Sequence, residues 1–347
     1  MPRKRKKKRQ PRWASWPDER LLKMRFKDLK LSMRGSWLSD CLRELRAEMK
    51  EKGLKVRPHG WLSSEWFSPS DTPGIAFPFY LAHPRLMRLE RRMIIDVEGA
   101  SRAECMRILR HEAGHVMQHS YALHKERRWQ QLFGRSSTRY PRYYRPDPAS
   151  RNFVQHLRLW YAQSHPDEDF AETFAVWLTP RSNWRKRYEG WPALRKLQYV
   201  DELMARTAKR KPVLTRRAEL EPVRTLRTTL EEHYKQKLEK YSVEAPRAYD
   251  RDLLRIFSMS SRHRSSPTAA SFIRHHRQEI RRLVSKWTGE YQLTLDTVLD
   301  EMIERCRELK LRAVGSDRQL RTDFTVLLTA KAVHELYNPH RRQLIAL

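Results

Sequence analysis

The pattern His-Glu-x-x-His at residues 111–115 constrains this chain more than any other feature of its sequence. On an α-helix, residues four positions apart lie on one face, so His111 and His115 point the same way, one turn apart. Two neutral imidazoles in that arrangement can share one tetrahedral zinc ion. Glu112 then lies beside the ion, where a base can deprotonate a zinc-bound water. The pattern therefore predicts a helix, a metal site and metal-assisted hydrolysis.

The residues around the motif predict the helix that it needs. Ser101-Arg102-Ala103-Glu104 has the form of a capping box, in which Ser101 begins the helix and Glu104 reaches back to it. Apolar residues recur at helical spacing from Met106 to Met117. We expect a helix that runs from Ser101 to about Leu123. The alternative is an amphipathic helix whose two histidines hold no metal.

A catalytic zinc needs a third protein ligand and leaves its fourth position to water. A single straight helix cannot wrap three ligands around one ion, so the third ligand must come from beyond the motif helix. The metzincin spacing would require a histidine at position 121, which is Tyr121, and that class is excluded. The residues that follow the motif and carry suitable donor atoms are His119, His124, His156, His165, Asp167, Glu168, Asp169 and Glu172.

The segment from Tyr161 to Leu178 is the most informative source of that ligand. Pro166 suits the first turn of a helix, and the three acidic residues after it complement the positive end of the helix. Glu168 and Glu172 share one face, so Glu168 can bind zinc while Glu172 accepts the free N–H of a ligating histidine. An acidic first turn alone would not explain Glu172 in an otherwise apolar stretch. His165 is a reserve candidate, either as a ligand in place of Glu168 or as a substrate contact.

These two segments together resemble a known group of enzymes. H-E-x-x-H followed at a distance by E-x-F-A-E resembles the gluzincin clan of zinc peptidases, most closely a bacterial family of zinc-binding metallopeptidases. It is also locally similar to the catalytic domain of anthrax lethal factor. The resemblance covers about residues 100–180 and implies a zincin-like fold, with Glu168 as third ligand and Glu172 as its outer-shell partner. It also implies that Tyr161, seven residues before Glu168, stabilises the transition state.

The predicted function is that of a zinc metallopeptidase with one zinc ion per chain, held by His111, His115 and Glu168. Glu112 would take a proton from the zinc-bound water and pass it to the leaving amine. Tyr161 would share the developing oxyanion with the metal. Two alternatives stay open. One is a nucleic-acid- or ribosome-associated zinc protein, such as a SprT-like protease with a histidine as third ligand, and the other is a catalytically silent binding module.

The charge of the chain bears on its partners and its location. It carries 72 Lys and Arg against 41 Asp and Glu, a net charge of +31, and eight of the first twelve residues are basic. Such an arm attracts polyanions, including nucleic acid, although a generally solvated basic surface is the alternative. No apolar run follows the arm and no stretch suits a membrane span, so we expect no signal peptide. Three widely spaced cysteines fit a reducing interior, and we expect a cytoplasmic protein that acts on a protein or peptide substrate.

We expect a mainly α fold with a small β-sheet (α+β). Residues 1–12 form a disordered basic arm, 13–245 a zincin-like metallopeptidase domain and 246–347 a helical accessory region. Extended runs at 75–81 and 93–96 can form the sheet, where an edge strand could hold an extended substrate. A loop at 134–150, rich in Tyr, Arg and Pro, lies between the two ligand segments and would form a wall or lid of the cleft. Nucleic-acid contact by this loop is the alternative.

Overall fold

The computed structural model describes residues 10–94, 96–141, 144, 147, 149–241 and 249–337. Most of the basic arm and part of the 134–150 loop lie outside the described residues. Within the described part, thirteen α-helices and two strands form, which confirms the predicted fold class. In chain order they are α1 (Asp18–Leu22), α2 (Trp37–Glu51), β1 (His59–Ser63), β2 (Gly74–Pro78), α3 (Pro84–Met93), α4 (Arg102–Ser120), α5 (Arg127–Phe133), α6 (Pro166–Leu178), α7 (Trp184–Arg187), α8 (Ala193–Thr207), α9 (Leu230–Tyr241), α10 (Asp250–Ile256), α11 (Ala269–Thr288), α12 (Gln292–Glu308) and α13 (Asp317–Tyr337).

The chain divides into two units, and neither is one continuous stretch. The first contains the described residues of 1–123 and 204–237, and the second contains those of 124–203 and 238–347. This division does not test the predicted three-part division into 1–12, 13–245 and 246–347, which stays a prediction.

In the first unit the motif helix α4 packs against α2 and β2. Leu38, Leu42, Leu45 and Met49 recur at helical spacing on α2 and are all buried, so α2 presents one apolar face to the core. A bidentate ion pair also joins α4 to α2. The Arg110 guanidinium donates to both carboxylate oxygens of Glu48, at 2.8 and 2.6 Å, immediately before the first histidine of the motif.

The sheet consists of β1 and β2, which pair in parallel with Gly60 opposite Ile75 and Leu62 opposite Phe77. A Cβ at Gly60 would come within 2.8 Å of the Leu42 and Phe77 side chains, so both side chains would have to shift to admit a larger residue. β2 is buried at all five positions, and the Ala76 N–H donates to the Phe67 carbonyl at 2.8 Å. At Ala76, therefore, β2 offers no open edge to an extended substrate.

The two extended runs predicted for the sheet have different outcomes. The run at 75–81 forms β2 only as far as Pro78, and a 3₁₀ turn follows at Phe79–Ala82. The strand predicted at 93–96 is wrong for its described residues, because Met93 ends α3 and Ile94 lies in a turn. Helix α3 has a strong start, since the His83 imidazole accepts the Arg85 N–H at 3.1 Å and Pro84 follows the cap. Helix formation from this cap therefore includes Met93, the first residue of the run.

In the second unit α6 is buried at every position from Asp167 to Leu178. It packs against α5 and against a 3₁₀ turn at Arg158–Gln163. Its start repeats the His-Pro arrangement of α3, since the His165 imidazole accepts the Asp167 N–H at 3.1 Å and Pro166 is the first helical residue. The helix predicted from Pro166 is therefore confirmed.

The C-terminal part of the second unit has a hydrophobic core of its own, between Tyr249 and Ala332. Helices α11 and α12 form the main contact, and α13 packs against α11. Among the described residues of the whole chain, no helix combines the length and the apolar character needed to cross a membrane. The core residues include Leu253, Phe257, Ile273, Ile280, Leu299, Met302, Phe324 and Leu328.

Candidate metal centre

The two histidines of the motif lie on one face of α4, as the spacing predicts. Ser101 caps the helix by accepting the Glu104 N–H at 3.2 Å, which confirms the predicted start. The Nε2 atoms of His111 and His115 are 3.1 Å apart. Two ligands bound to one tetrahedral zinc at 2.0–2.1 Å lie roughly 3.4 Å apart, so the observed pair fits a shared ion.

Glu168 completes a cluster with these histidines. One donor atom from each of His111, His115 and Glu168 lies within 4.8 Å of the other two. Among the described residues, no other group of three His, Cys, Asp or Glu side chains meets this criterion. Two imidazoles and one carboxylate are the donor set of a catalytic zinc site that keeps one position open. The cluster can therefore hold a metal ion.

Glu112 is buried next to His111 in the motif. Its side chain is 7% exposed, and its Oε2 atom has no hydrogen-bond partner among the described residues. A buried carboxylate oxygen without a protein partner can accept a hydrogen bond from a water. A water is the molecule that a general base needs there.

Tyr140 is a residue of this centre that the sequence did not identify. Its hydroxyl donates to Glu168 Oε1 at 2.8 Å, while its ring stacks on the His165 imidazole with 3.6 Å between ring centroids. A hydrogen bond to one oxygen of a carboxylate fixes the direction of the other oxygen. The Tyr- and Arg-rich loop was the only signal for this contact, and nothing in the sequence distinguishes Tyr140 from its neighbours.

Glu172 lies one helical turn after Glu168 and is fully buried. Its Oε2 atom accepts the backbone N–H of Leu157 at 2.8 Å, which ties the chain ahead of the 3₁₀ turn to α6. The predicted hydrogen bond from a ligating histidine to Glu172 stays a prediction.

Tyr161 lies in the 3₁₀ turn directly before α6 and is half-buried. A second tyrosine of the loop, Tyr144, has its ring centroid 6.5 Å from that of Tyr161. Burial, and then the negative charges of Glu172 and Glu168, raise the pKa of the Tyr144 hydroxyl. The rings of two tyrosines, one from the loop and one from the 3₁₀ turn, therefore lie near each other ahead of α6. The catalytic role of Tyr161 stays a prediction.

His165, the reserve ligand, has both ring nitrogens engaged. Nδ1 accepts the Asp167 N–H at 3.1 Å, and Nε2 lies 2.8 Å from the Thr138 carbonyl oxygen, to which it donates. With Nδ1 as an acceptor, the proton of a neutral imidazole must be on Nε2. In this arrangement His165 begins α6 and supports the ring of Tyr140.

Asp169 points away from this cluster to a separate ion pair. Lys196 Nζ lies 2.6 Å from Asp169 Oδ2, and both side chains are largely buried. Burial raises the pKa of Asp169 to about 7, although the adjacent lysine acts in the opposite direction. Asp169 therefore joins α6 to α8 and leaves Glu168 as the acidic residue of this turn that faces the histidines.

Comparison with known proteins gives one match. A family model described as "Putative zinc-binding metallo-peptidase" matches residues 102–186, about a quarter of the chain. The matched segment contains all the predicted site residues, from His111 to Glu172. No curated protein and no solved structure matches the chain.

Proposed function

We propose that this protein is a zinc-dependent metallopeptidase of the gluzincin type, with His111, His115 and Glu168 as its zinc ligands. The observation that carries the proposal is the convergence of these three donor atoms within 4.8 Å, with the unpartnered Oε2 of Glu112 on the same helix. The match of residues 102–186 to a zinc-binding peptidase family supports the same chemistry. A peptide bond in a protein or peptide is the proposed substrate.

A zinc ion bound here would supply a Lewis acid and a water of lowered pKa. The residues of the chain account for the rest of the reaction. Glu112 accepts the proton of the attacking water and delivers it to the leaving amine. The Tyr161 hydroxyl donates a hydrogen bond to the oxyanion. Tyr140 and Glu172 hold α6 and its ligand in place, the first through Glu168 and the second through Leu157.

The test compares the wild type with Glu112→Gln, a change that preserves size and removes the base. We expect Glu112→Gln to bind one zinc per chain and to lose hydrolysis by about 10²–10⁴-fold, the usual contribution of a general base. Glu104→Gln, the same chemical change on the same helix, is the matched control and should retain activity. Zinc content is measured by elemental analysis, and cleavage by proteome-wide mapping of new termini. Full activity in a zinc-loaded Glu112→Gln protein would refute the mechanism.

The alternative of a SprT-like protease requires a histidine as third ligand. The two hydrogen bonds of His165 argue against it in that role. A catalytically silent binding module has no need of a buried base at position 112. Contact with nucleic acid through the basic arm stays a prediction, because residues 1–9 lie outside the described part. A cytoplasmic location, which the free cysteines Cys41, Cys105 and Cys306 support, is likewise a proposal.

A further inference from the structure

The second unit contains a cavity of about 1000 Å³ whose lining does not include His111, His115 or Glu168. Two segments form its walls. One is the stretch from Gln155 to Trp160, directly before Tyr161, and the other is the outer face of α11 with the turn that follows it. A cavity of this size can take several residues of a peptide.

The lining carries an excess of positive charge. Arg158, Arg282 and Lys286 line the cavity, and Glu279 is the one acidic side chain among the described lining residues. Glu279 is already paired, since Arg321 lies 3.0 Å from its carboxylate. The cavity therefore attracts a ligand that carries negative charge.

The same cavity has aromatic and aliphatic surface. Trp287 is 72% exposed, the largest exposed fraction among the large apolar side chains described, and Leu283 beside it is 42% exposed. An exposed indole does not contribute the stability to the fold that its burial would provide. Tryptophans commonly provide a large part of the binding energy at protein interfaces. Trp160, on the opposite wall, has a left-handed backbone with φ of 52°. Strain of this kind at a bulky residue is typical of functional segments.

The wall formed by residues 155–160 is physically tied to α6. The Leu157 N–H donates to Glu172 at 2.8 Å, one turn from Glu168, and Tyr161 directly follows Trp160. A ligand in the cavity would therefore contact the segment that leads into the candidate catalytic residues.

We propose that this cavity is a docking site for an acidic segment of a protein substrate that carries an aromatic or aliphatic side chain. This inference rests on the proposed peptidase function. The carboxylates of the segment face Arg282 and Lys286, and its apolar side chain packs on Trp287 and Leu283. A peptide suits the lining better than nucleic acid does. A strand of nucleic acid needs an unbroken positive track with stacking surfaces, whereas Glu279 and two leucines interrupt this lining.

The experiment measures binding in the full-length, zinc-loaded Glu112→Gln protein, so that the probe is not cleaved. The probe is a fluorescein-labelled peptide of Asp, Glu, Phe and Leu, followed by fluorescence anisotropy. Two ligands serve for comparison. One is a peptide with Lys in place of the acidic residues, and the other is an oligothymidylate. We expect Arg282→Glu and Lys286→Glu each to weaken binding of the acidic peptide about tenfold, and Trp287→Ala about fivefold. Trp287→Phe, which keeps an aromatic ring, should restore most of the loss.

Arg274→Glu is the matched control. Arg274 is exposed on the same helix, does not line the cavity, and undergoes the same reversal of charge. Its binding should stay within about twofold of the parent protein. Thermal melts show whether each variant is folded. Acidic-peptide binding that is indifferent to all three cavity variants overturns the proposal. The proposal is also overturned if the protein binds oligothymidylate but not the acidic peptide, and if the same three variants lose that binding.

Cleavage measurements separate this proposal from the peptidase function itself. In a protein with Glu112 intact, Arg282→Glu should raise KM about tenfold for a substrate that carries the acidic segment and leave kcat unchanged. A short substrate without that segment should be cut equally by both proteins. If the cavity variants weaken binding of the acidic peptide but no cleavage depends on Glu112, the peptidase function is refuted and the docking site is supported. If cleavage depends on Glu112 but Arg282→Glu cuts both substrates as well as the parent protein does, only the docking site is overturned.

Discussion

Replacing Tyr140 with phenylalanine gives the sharpest test of how Glu168 is held. The change removes one hydroxyl, which donates to Glu168 Oε1 at 2.8 Å. It keeps the ring that stacks on His165 at a 13° angle, so the start of α6 should stay unchanged. Any loss of metal affinity then reports on the loss of the hydroxyl.

The expected size of the effect follows from the contact. A hydrogen bond to a charged group contributes roughly 1.5–3 kcal/mol. Tyr140 is 44% exposed and Glu168 is 5% exposed, so the hydrogen bond is only partly buried and we expect the lower end of this range. About 1.5 kcal/mol corresponds to roughly tenfold in affinity, at the low end of the effects known for partners of metal ligands. We expect Tyr140→Phe to bind zinc about tenfold more weakly.

The assay is competition for zinc against a chromophoric chelator at constant pH. Tyr249→Phe is the matched control, because the Tyr249 hydroxyl donates to Glu301 at 3.2 Å in the C-terminal bundle. It loses a Tyr–Glu hydrogen bond of the same kind, away from the cluster, and should bind zinc normally. If Tyr140→Phe matches the wild type within about twofold while Glu168→Gln loses zinc, the proposed role of the hydroxyl is wrong.

Three further predictions concern stability and charge. Glu48→Gln leaves the half-buried Arg110 without its counter-charge and should lower the free energy of unfolding by about 3 kcal/mol, as measured by urea denaturation. A loss below about 0.5 kcal/mol would contradict this interpretation. Burial raises the pKa of Glu290 to about 7 from 4.5, so the folded state holds a proton that the unfolded chain has released between these pH values. The stability contributed by protonated Glu290 should therefore fall by roughly 3 kcal/mol as pH rises from about 4.5 to 7, and Glu290→Gln should remove that slope from calorimetric melts. Deleting residues 1–9, seven of them basic, should make the slope of log binding constant against log salt concentration shallower by up to about 6 for duplex DNA. An unchanged slope would exclude the arm from that contact.

The sequence predicts the parts of the centre that depend on local chemistry. Helix α4 follows from its capping box and the i, i+4 histidines, and α6 follows from Pro166 and the acidic turn after it. Both predictions rest on interactions within about one helical turn, which a short segment specifies by itself. Glu168 was favoured on the same grounds, and the structure brings it to the histidines despite 52 intervening residues.

The features that the sequence did not predict depend on packing between distant segments. The contact of Tyr140 with Glu168 requires the path of a whole loop, and the close packing of Gly60 on β1 against Leu42 on α2 requires two separate elements to meet. The strand predicted near Ile94 failed because the cap at His83 begins a helix that continues to Met93. Local β-branched composition predicts strands only weakly, because strand formation depends on a partner strand elsewhere in the chain.

The left-handed backbone of Trp160 has a consequence for directed evolution of this protein. Glycine adopts the φ of 52° freely, so Trp160→Gly relieves roughly 1–2 kcal/mol of strain in the folded state. The greater conformational freedom of glycine in the unfolded chain lowers the stability again by about 0.5–1 kcal/mol. The half-buried indole loses its packing in the same substitution, so heat resistance increases only if that loss is smaller than the relief of strain. The same substitution removes an indole from the cavity wall. A screen for thermostability therefore tests this indole by its packing against its backbone strain, whereas a screen for substrate capture tests it by its contact with the ligand.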